Sequence, residues 1–152
     1  VRRIEPAADL QVESLGELRA GFVCRTGHPL ADGARVSFEN LLRYPIGSTP
    51  LSAEVARRLV EQYGPQAEQA RMVTLFCEDI DSLIDAVEET DALFLGIVAA
   101  ARARIEAGRM VELPVEQPVS VGARFALVTM AGRTEAPVMR ILRRLVAERL
   151  RD

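Results

Sequence analysis

Strand-like and helix-like segments alternate along this chain, and this alternation restricts its fold more than any other feature. The apolar stretches Leu18 to Cys24, Met72 to Cys77 and Ala92 to Val98 have the length and composition of buried strands. Between them, apolar residues recur at helical spacing, for example over residues 80–87. Short links between strands and helices predict an α/β fold built on mixed, mostly parallel sheets.

Local capping signals predict where several helices begin and end. Ser37 is placed to cap a short helix, and Ser48-Thr49-Pro50 predicts the start of a longer one, with a hydroxyl cap and a proline in the first turn. Gly64 followed by Pro65 predicts the end of that longer helix. A final amphipathic helix is predicted from about Ala136.

Charge and hydropathy exclude several classes of protein. The formal net charge of the 152 residues is -3, which gives no general attraction to nucleic acid or to anionic lipid. No apolar run approaches the ~20 residues that span a bilayer, and the first residues lack the apolar core of a secretion signal. We therefore expect a cytoplasmic protein without a membrane partner.

Common motifs for cofactor and metal chemistry are missing from the sequence. The glycine-rich nucleotide loops, the G-x-S-x-G motif of α/β hydrolases and the H-E-x-x-H motif of zinc enzymes do not occur. His28 is the only histidine, and one histidine without a nearby cysteine or second histidine does not form a usual zinc site. We expect no catalytic residue, no cofactor and no metal.

The setting of His28 favours a structural role. It lies in the sequence Gly27-His28-Pro29, where the proline pushes the histidine out of helical conformation and ends the preceding strand. The alternative is a catalytic pair of His28 with Cys24 or Cys77, which only geometry would reveal.

Two predicted helix starts bear on ligand binding. The corner Gly47-Ser48-Thr49 offers hydroxyls and backbone N–H groups that would hold a carboxylate or phosphate, although the same residues are also explained as a helix cap. The next helix begins among Glu78, Asp79 and Asp81, which complement the helix dipole. If this second helix start lines a site, it favours an amine or a hydroxyl group.

Several stretches occur in the order known from one family of bacterial proteins. They are His28-Pro29-Leu30-Ala31, the segment 38–46 that ends in Tyr-Pro-Ile, Thr90-Asp91-Ala92-Leu93, the segment 107–114 and Ala136-Pro137-Val138-Met139. Together with the strand before His28, they make the chain resemble the ligand-sensing domain of LysR-type transcriptional regulators. The stretch Leu95 to Ala99 departs from the Gly-Ile-x-x-x-Pro ending of the family's strand.

The resemblance implies a type 2 periplasmic-binding-protein-like fold with two lobes. The second lobe would run over residues 25–113, and residues 1–24 and 114–152 would belong to a first lobe that is incomplete in this chain. The winged helix-turn-helix DNA-binding domain of the family is absent from these residues.

The resemblance also implies a function and a site. The chain would be an effector-binding domain and not an enzyme, it would form a homodimer or homotetramer, and it would reach promoter DNA only through the winged helix-turn-helix domain. A small organic metabolite would bind between the lobes. The pocket residues carried over from the family are Ile46, Gly47, Ser48 and Thr49, followed by Phe76 and Cys77.

Two other functions remain open at the sequence level. A solute-binding protein of a transport system has the same fold, but we expect a secretion signal in such a protein. A small α/β enzyme that uses His28 with Cys24 or Cys77 is the other alternative.

Overall fold

A computed structural model describes residues 10–132 and 137–150, with the side chain of Arg149 excepted. Within these residues, no helix is long and apolar enough to cross a membrane. Short 3-10 turns occupy Pro65–Ala67 and Val98–Ala101. The strands and helices, in chain order, are β1 Leu10–Arg25, α1 Phe38–Leu41, β2 Ile46–Ser48, α2 Ala53–Tyr63, α3 Gln69–Met72, β3 Leu75–Phe76, α4 Ile80–Glu88, β4 Leu93–Ile97, α5 Arg102–Glu106, β5 Met110–Glu112, β6 Gly122–Met130 and α6 Pro137–Arg149.

The chain divides into two compact units. The larger unit is Arg19–Val121, and the smaller unit combines Val1–Leu18 with Gly122–Asp152. Strand β1 contributes residues to both. The two predicted lobes are arranged along the chain in the same way as these units, with one continuous central segment and two segments that flank it. The predicted lobe bounds, at residues 24/25 and 113/114, stay a prediction.

The larger unit is built on a mixed sheet with the strand order β3-β2-β4-β1-β5. Strand β2 is parallel to β3 and to β4. Strand β1 is antiparallel to β4 and to β5. The predicted α/β architecture with a mixed sheet is confirmed, although two of these four pairings are antiparallel, so that the parallel share is smaller than expected.

Alternation along the strands divides the core of the larger unit into two layers. Phe22 and Leu95 point to the side that carries α1 and α2, whereas Val23 and Phe94 point to the side that carries α4. All four side chains are buried, with at most 2% of their surface exposed. Helices therefore cover the sheet on both faces, as the near-continuous apolar strands require.

Most helix ends follow the predicted signals. The Ser37 hydroxyl accepts a hydrogen bond from the Asn40 N–H at the start of α1, at 3.3 Å. Gly64 follows α2 with a positive φ of 86°, a value that glycine adopts without strain.

The prediction that Ser48-Thr49-Pro50 starts α2 is wrong. The helix begins at Ala53, and its N-cap is Ser52, whose hydroxyl accepts a hydrogen bond from the Val55 N–H at 3.3 Å. A residue before proline is disfavoured in helical conformation, which keeps Thr49 in the link after β2. Two serines compete as caps here, and the one beyond the proline is used.

Two other boundaries differ from those predicted. Strand β3 is only Leu75–Phe76, and Met72, the first residue of the predicted strand, belongs to α3. Strand β1 begins at Leu10, well before the predicted Leu18. The predicted start of the last helix at Ala136 lies outside the described residues, and α6 is described from Pro137.

The smaller unit contains the first part of β1, strand β6 and helix α6. Strand β6 pairs with β1. Ion pairs join Glu13 of β1 to Arg143 of α6, and Glu17 of β1 to Arg124 of β6. These contacts place one side of α6 toward β1.

Candidate functional site

The carboxyl ends of β2 and β3 lie side by side and form the corner at which most of the predicted site residues meet. Gly47 is opposite Leu75 in this parallel pair, and Ser48 is opposite Phe76. The chain then leads from β2 toward α2 and from β3 toward α4. Carboxyl ends of parallel strands next to helix starts are where ligands bind in open α/β sheets. The structure therefore brings together two predicted site residues that are 28 positions apart in sequence.

Ile46 and Gly47 support this corner from within. The Ile46 side chain is fully buried in the layer under α2. A Cβ atom added at Gly47 would lie 2.8 Å from Cδ1 of Leu83, so glycine lets α4 approach the sheet closely. These two predicted site residues shape the corner without exposing a side chain at it.

Ser48 and Thr49 differ in what they expose. Ser48 is fully buried, and its hydroxyl donates a hydrogen bond to the carbonyl oxygen of Thr49 at 2.9 Å. The Ser48 hydroxyl therefore fixes the turn after β2 and does not cap a helix. Thr49 is half-buried and is the first residue of the corner that reaches the surface.

Phe76 is the most exposed of the predicted site residues. Its side chain is 52% exposed at the end of β3, although it is a large apolar residue. A hollow of about 710 Å³ lies beside the ring, bounded by α2 and α3. We call this hollow the α2 groove; its lining residues are Ala56, Arg57, Val60, Glu68, Gln69, Ala70 and Phe76.

Sequence reasoning identified Phe76 but missed the rest of the α2 groove. The missed residues Ala56 and Val60 are four positions apart on α2, and this helical spacing would have placed them on one face. A second hollow of about 440 Å³ was also missed. It includes Arg19, Arg35 and Glu112, and Arg19 forms an ion pair with Glu112 across it.

Helix α2, which borders the groove, is anchored at its C-terminal end. The Tyr63 ring stacks on Phe38 with 4.3 Å between the centroids, and its hydroxyl donates to the carbonyl oxygen of Gln117. Burial raises the pKa of the Tyr63 phenol to about 12. The Gln62 amide adds a hydrogen bond of 2.6 Å to the carbonyl oxygen of Pro118.

The acidic residues at the start of α4 are engaged in structural contacts. Asp79 caps the helix, and its hydrogen bond from the Ser82 side chain is the main reason why the Asp79 pKa is lowered. Arg104 of α5 pairs with Asp81, Asp85 and Glu88 along α4. These contacts favour the interpretation that the acidic residues stabilise α4 and its packing with α5, and that they do not bind a ligand.

His28 is buried, and both of its ring nitrogens have partners. Nδ1 accepts a hydrogen bond from the Leu30 N–H at 3.0 Å, so the proton resides on Nε2, which lies 3.2 Å from the carbonyl oxygen of Asp91. The ring also packs edge-on against Tyr44, with 4.5 Å between the centroids. These contacts support the structural interpretation of His28.

The two cysteines lie in different environments. Cys24 is fully buried, and burial raises its pKa from 9.0 to about 11, although Arg25 opposes part of the increase. Cys77 is half-buried and free. In the described residues no cluster of three or more His, Cys, Asp or Glu side chains could hold a metal ion.

We expect iodoacetamide near neutral pH to alkylate Cys77 at least about a hundredfold faster than Cys24. The buried Cys24 is reached only when the fold opens, and its raised pKa keeps the fraction of reactive thiolate small. Peptide mass spectrometry over time measures both rates. A Cys77→Ser variant isolates the Cys24 rate, and urea should remove the difference. Rapid, stoichiometric modification of Cys24 in the folded chain would contradict this assignment and revive the pairing of His28 with Cys24.

Comparison with known protein families identifies the chain's relatives. The family model described as the LysR substrate binding domain matches residues 1–151. The chain belongs to this LysR family. The resemblance seen in the motif order, the periplasmic-binding-protein-like fold and the effector-binding function of the domain are thereby confirmed.

Individual relatives agree with this assignment. The SDS degradation transcriptional activation protein of Pseudomonas sp. is 30% identical over 151 residues, which are 97% of this chain and 48% of that protein. The LysR family transcriptional regulator HinK of Pseudomonas aeruginosa has a similar fold, with a TM-score of 0.67 and 16% identity over 99% of this chain and 51% of HinK. The effector domain of AmpR from the same species gives a TM-score of 0.65 and 16% identity, over 94% of this chain and 66% of that domain.

The chain therefore spans about half the length of the curated relative that it matches. It also spans about two thirds of an effector domain solved by itself. Since LysR family members are transcriptional regulators, the family assignment fits a sensing domain and not an enzyme.

Proposed function

We propose that this LysR domain is the sensing part of a cytoplasmic transcriptional regulator and that it binds a small organic effector at the corner formed by Thr49 and Phe76. The half-exposed ring of Phe76, beside the turn after β2, is the observation that carries the proposal. Contact with promoter DNA would be made only by a winged helix-turn-helix domain of the full-length regulator.

The six candidate residues have different roles in this proposal. Thr49 would offer its hydroxyl and backbone groups to a polar part of the effector, and Phe76 would cover an apolar part. Cys77, half-buried directly after β3, would border the site. Ile46, Gly47 and Ser48 would hold the backbone of the corner in place, since their side-chain positions are buried.

Binding would produce a signal because the effector has different affinities for two conformational states of the regulator. A ligand shifts a conformational equilibrium only by its difference in affinity between the two states. The effector would therefore bind more tightly to one arrangement of the regulator, in which the domain forms a homodimer or homotetramer.

Recognition without a chemical step is the mechanism that we propose for the effector. Both nitrogens of His28 are engaged in hydrogen bonds, so the ring has no free nitrogen to act as a base. The raised pKa of Cys24 disfavours its nucleophilic thiolate form. These two observations support a binding function over a Cys–His enzyme.

The curated relative suggests a first probe for the site. Its name connects that protein with SDS degradation, and we extend this to the present chain only as a proposal. An alkyl sulfate joins an anionic head to an apolar chain, which suits a polar turn beside an exposed phenyl ring. Dodecyl sulfate far below its micellar concentration is therefore tested beside small acids, amino acids and aromatic compounds.

We expect Phe76→Ala to weaken binding of the best probe at least about tenfold, which corresponds to about 1.4 kcal/mol. Ser48→Ala combined with Thr49→Ala should weaken it as well, through the loss of the Thr49 hydroxyl and of the hydrogen bond that fixes the turn. Isothermal titration calorimetry measures the affinity. The melting temperature of Phe76→Ala should change by less than about 2 °C, because Phe76 is already 52% exposed in the folded chain.

Phe125→Ala is the matched control, because Phe125 is also an exposed phenylalanine but lies on β6 of the smaller unit. Its affinity for the probe should equal that of the unchanged chain. If Phe76→Ala and the Ser48/Thr49 variant both bind the probe as tightly as the unchanged chain does, the corner is not the effector site.

A further inference from the structure

The second hollow, of about 440 Å³, lies where the strand pairing along one edge of β1 is interrupted. Leu113 still pairs with this edge, since its N–H donates to the carbonyl oxygen of Phe22 at 2.8 Å. The chain then leaves the edge and returns at Val121, whose carbonyl oxygen accepts a hydrogen bond from the Ala20 N–H at 3.0 Å. We call the space between residues 114–120 and β1 the edge hollow.

The edge hollow is separate from the proposed effector corner. The sheet order is β3-β2-β4-β1-β5, so the corner formed by Thr49 and Phe76 lies toward one end of this sheet and the edge hollow toward the other, with β4 between them. All residues that line the edge hollow belong to the larger unit. An inference about it therefore does not depend on where the effector binds.

The charges at the edge hollow leave an excess of one positive charge. Of the described residues that line it, Arg19, Arg35 and Glu112 are charged. Arg19 binds both carboxylate oxygens of Glu112, with 2.6 Å between Nη2 and Oε2, so these two charges compensate each other. Arg35 is exposed, and within the part of the chain that the structure describes its side chain has neither an ion pair nor a hydrogen bond.

The other walls of the edge hollow are mainly apolar. They include Phe22, Leu113, Pro114, Val115, Pro118 and Val119. Because proline has no backbone N–H, two of these wall residues provide no main-chain donor. Pockets for small molecules have volumes of about 300–1,000 Å³ and combine apolar walls with a few polar groups. The edge hollow has both properties.

Hydrogen bonds hold the walls of the edge hollow in place. The side-chain oxygen of Gln62 accepts hydrogen bonds from the N–H and the hydroxyl of Ser120, at 3.0 and 2.7 Å. On the other side, the Val36 N–H donates to the carbonyl oxygen of Pro114 at 2.9 Å and fixes the backbone next to Arg35. The hollow is therefore formed before any ligand enters it.

We propose that the edge hollow binds a small organic monocarboxylate. The Arg35 guanidinium would bind the carboxylate through two parallel N–H···O hydrogen bonds, and the apolar walls would cover the body of the ligand. A single negative charge matches the one charge that is not compensated. A second negative charge on the ligand would be repelled by Glu112, which also lines the hollow.

Benzoate is the probe, and benzamide is its uncharged counterpart of nearly the same shape. Nuclear magnetic resonance titration of the ¹⁵N-labelled 152-residue chain measures both the affinity and the position of binding. We expect saturable shifts of the Val115 and Val119 amide signals, and an affinity for benzoate at least about tenfold higher than for benzamide.

Arg35→Gln should weaken benzoate binding at least about fivefold, whereas Arg35→Lys, which keeps the charge, should weaken it by less than about threefold. Glu112→Gln should strengthen binding, because it removes the negative charge that compensates Arg19. Arg43→Gln is the matched control, since Arg43 is also exposed and unpaired among the described residues but does not line the edge hollow. Its affinity for benzoate should stay within about twofold of that of the unchanged chain.

Four results would overturn the proposal. Benzoate could cause no saturable shift at Val115 and Val119, or benzamide could bind as tightly as benzoate. Arg35→Gln could leave the affinity unchanged, or could reduce it no more than Arg43→Gln does.

Phe76→Ala separates this proposal from that of the effector corner. It should leave benzoate binding at the edge hollow unchanged, whatever its effect on the effector probe. If Phe76→Ala abolishes benzoate binding and Arg35→Gln does not, benzoate binds at the corner, which would overturn the inference about the edge hollow and support the proposed effector site.

Discussion

Replacing Gly96 with alanine is expected to destabilise the chain by about 2–3 kcal/mol, the cost of forcing an extra carbon into a closed core. A Cβ atom at this position would lie 2.3 Å from Cζ of Phe94 and 2.9 Å from both Cε atoms of the ring. The ring has no room to retreat, because Phe94 is 2% exposed and is packed in the layer that contains Leu83 and Val87. Urea unfolding followed by circular dichroism measures the change, since the chain has no tryptophan.

A double-mutant cycle separates this contact from other causes. Phe94→Leu alone should cost about 1–1.5 kcal/mol, and with Gly96→Ala the combined cost should fall short of the sum by at least about 1 kcal/mol, because the shorter side chain leaves room for the new carbon. If the two changes in the free energy of unfolding were strictly additive, the alanine methyl group would not be in steric conflict with the Phe94 ring.

The same contact explains why a glycine is needed at position 96, close to the end of β4. Gly96 lies opposite Gly21 in the antiparallel pair of β4 with β1. A Cβ atom at Gly21 would lie 2.9 Å from Val98 Cγ2 and 2.9 Å from Glu112 Oε1. Neighbouring side chains thus fill the space above both glycines, so that Gly96 supports the core rather than opening a pocket.

Local signals were sufficient for much of the fold. Ser37 and Gly64 act within a few residues of their own positions, and a helix end can be predicted from such residues wherever their contacts are local. The start of α2 was missed because Ser48 and Ser52 are both plausible caps, and only the path of the chain after Pro50 decides between them.

The candidate site was predictable in its position and not in its details. Strand alternation would have revealed that Ser48 is buried, because it shares a face of β2 with Ile46, whose burial its apolar character already predicts. By contrast, the pairing of Ser48 with Phe76 depends on the register between β2 and β3. The α2 groove depends on the packing of α3 against α2, which no local pattern encodes.

The larger of the two stability effects is expected at His28. His28→Ala should destabilise the chain by about 2–4 kcal/mol, because it leaves the Leu30 N–H and the Asp91 carbonyl oxygen without their partner and removes the ring that packs on Tyr44. The side chain is only 3% exposed, so water does not readily replace these contacts. Urea unfolding measures the loss, and binding of the effector probe should remain in the folded fraction.

His28→Asn distinguishes a structural histidine from a chemical one. An asparagine oxygen reproduces the Nδ1 acceptor and is suited to accept a hydrogen bond from the N–H two residues later, so this variant should recover the turn at Leu30 and cost only about 1–2 kcal/mol. If His28 transferred protons, replacement by alanine and replacement by asparagine would instead abolish that activity equally. If the two variants are equally unstable, the Leu30 hydrogen bond contributes nothing. If both are as stable as the unchanged chain, His28 does not hold the turn after β1, and its burial needs another cause.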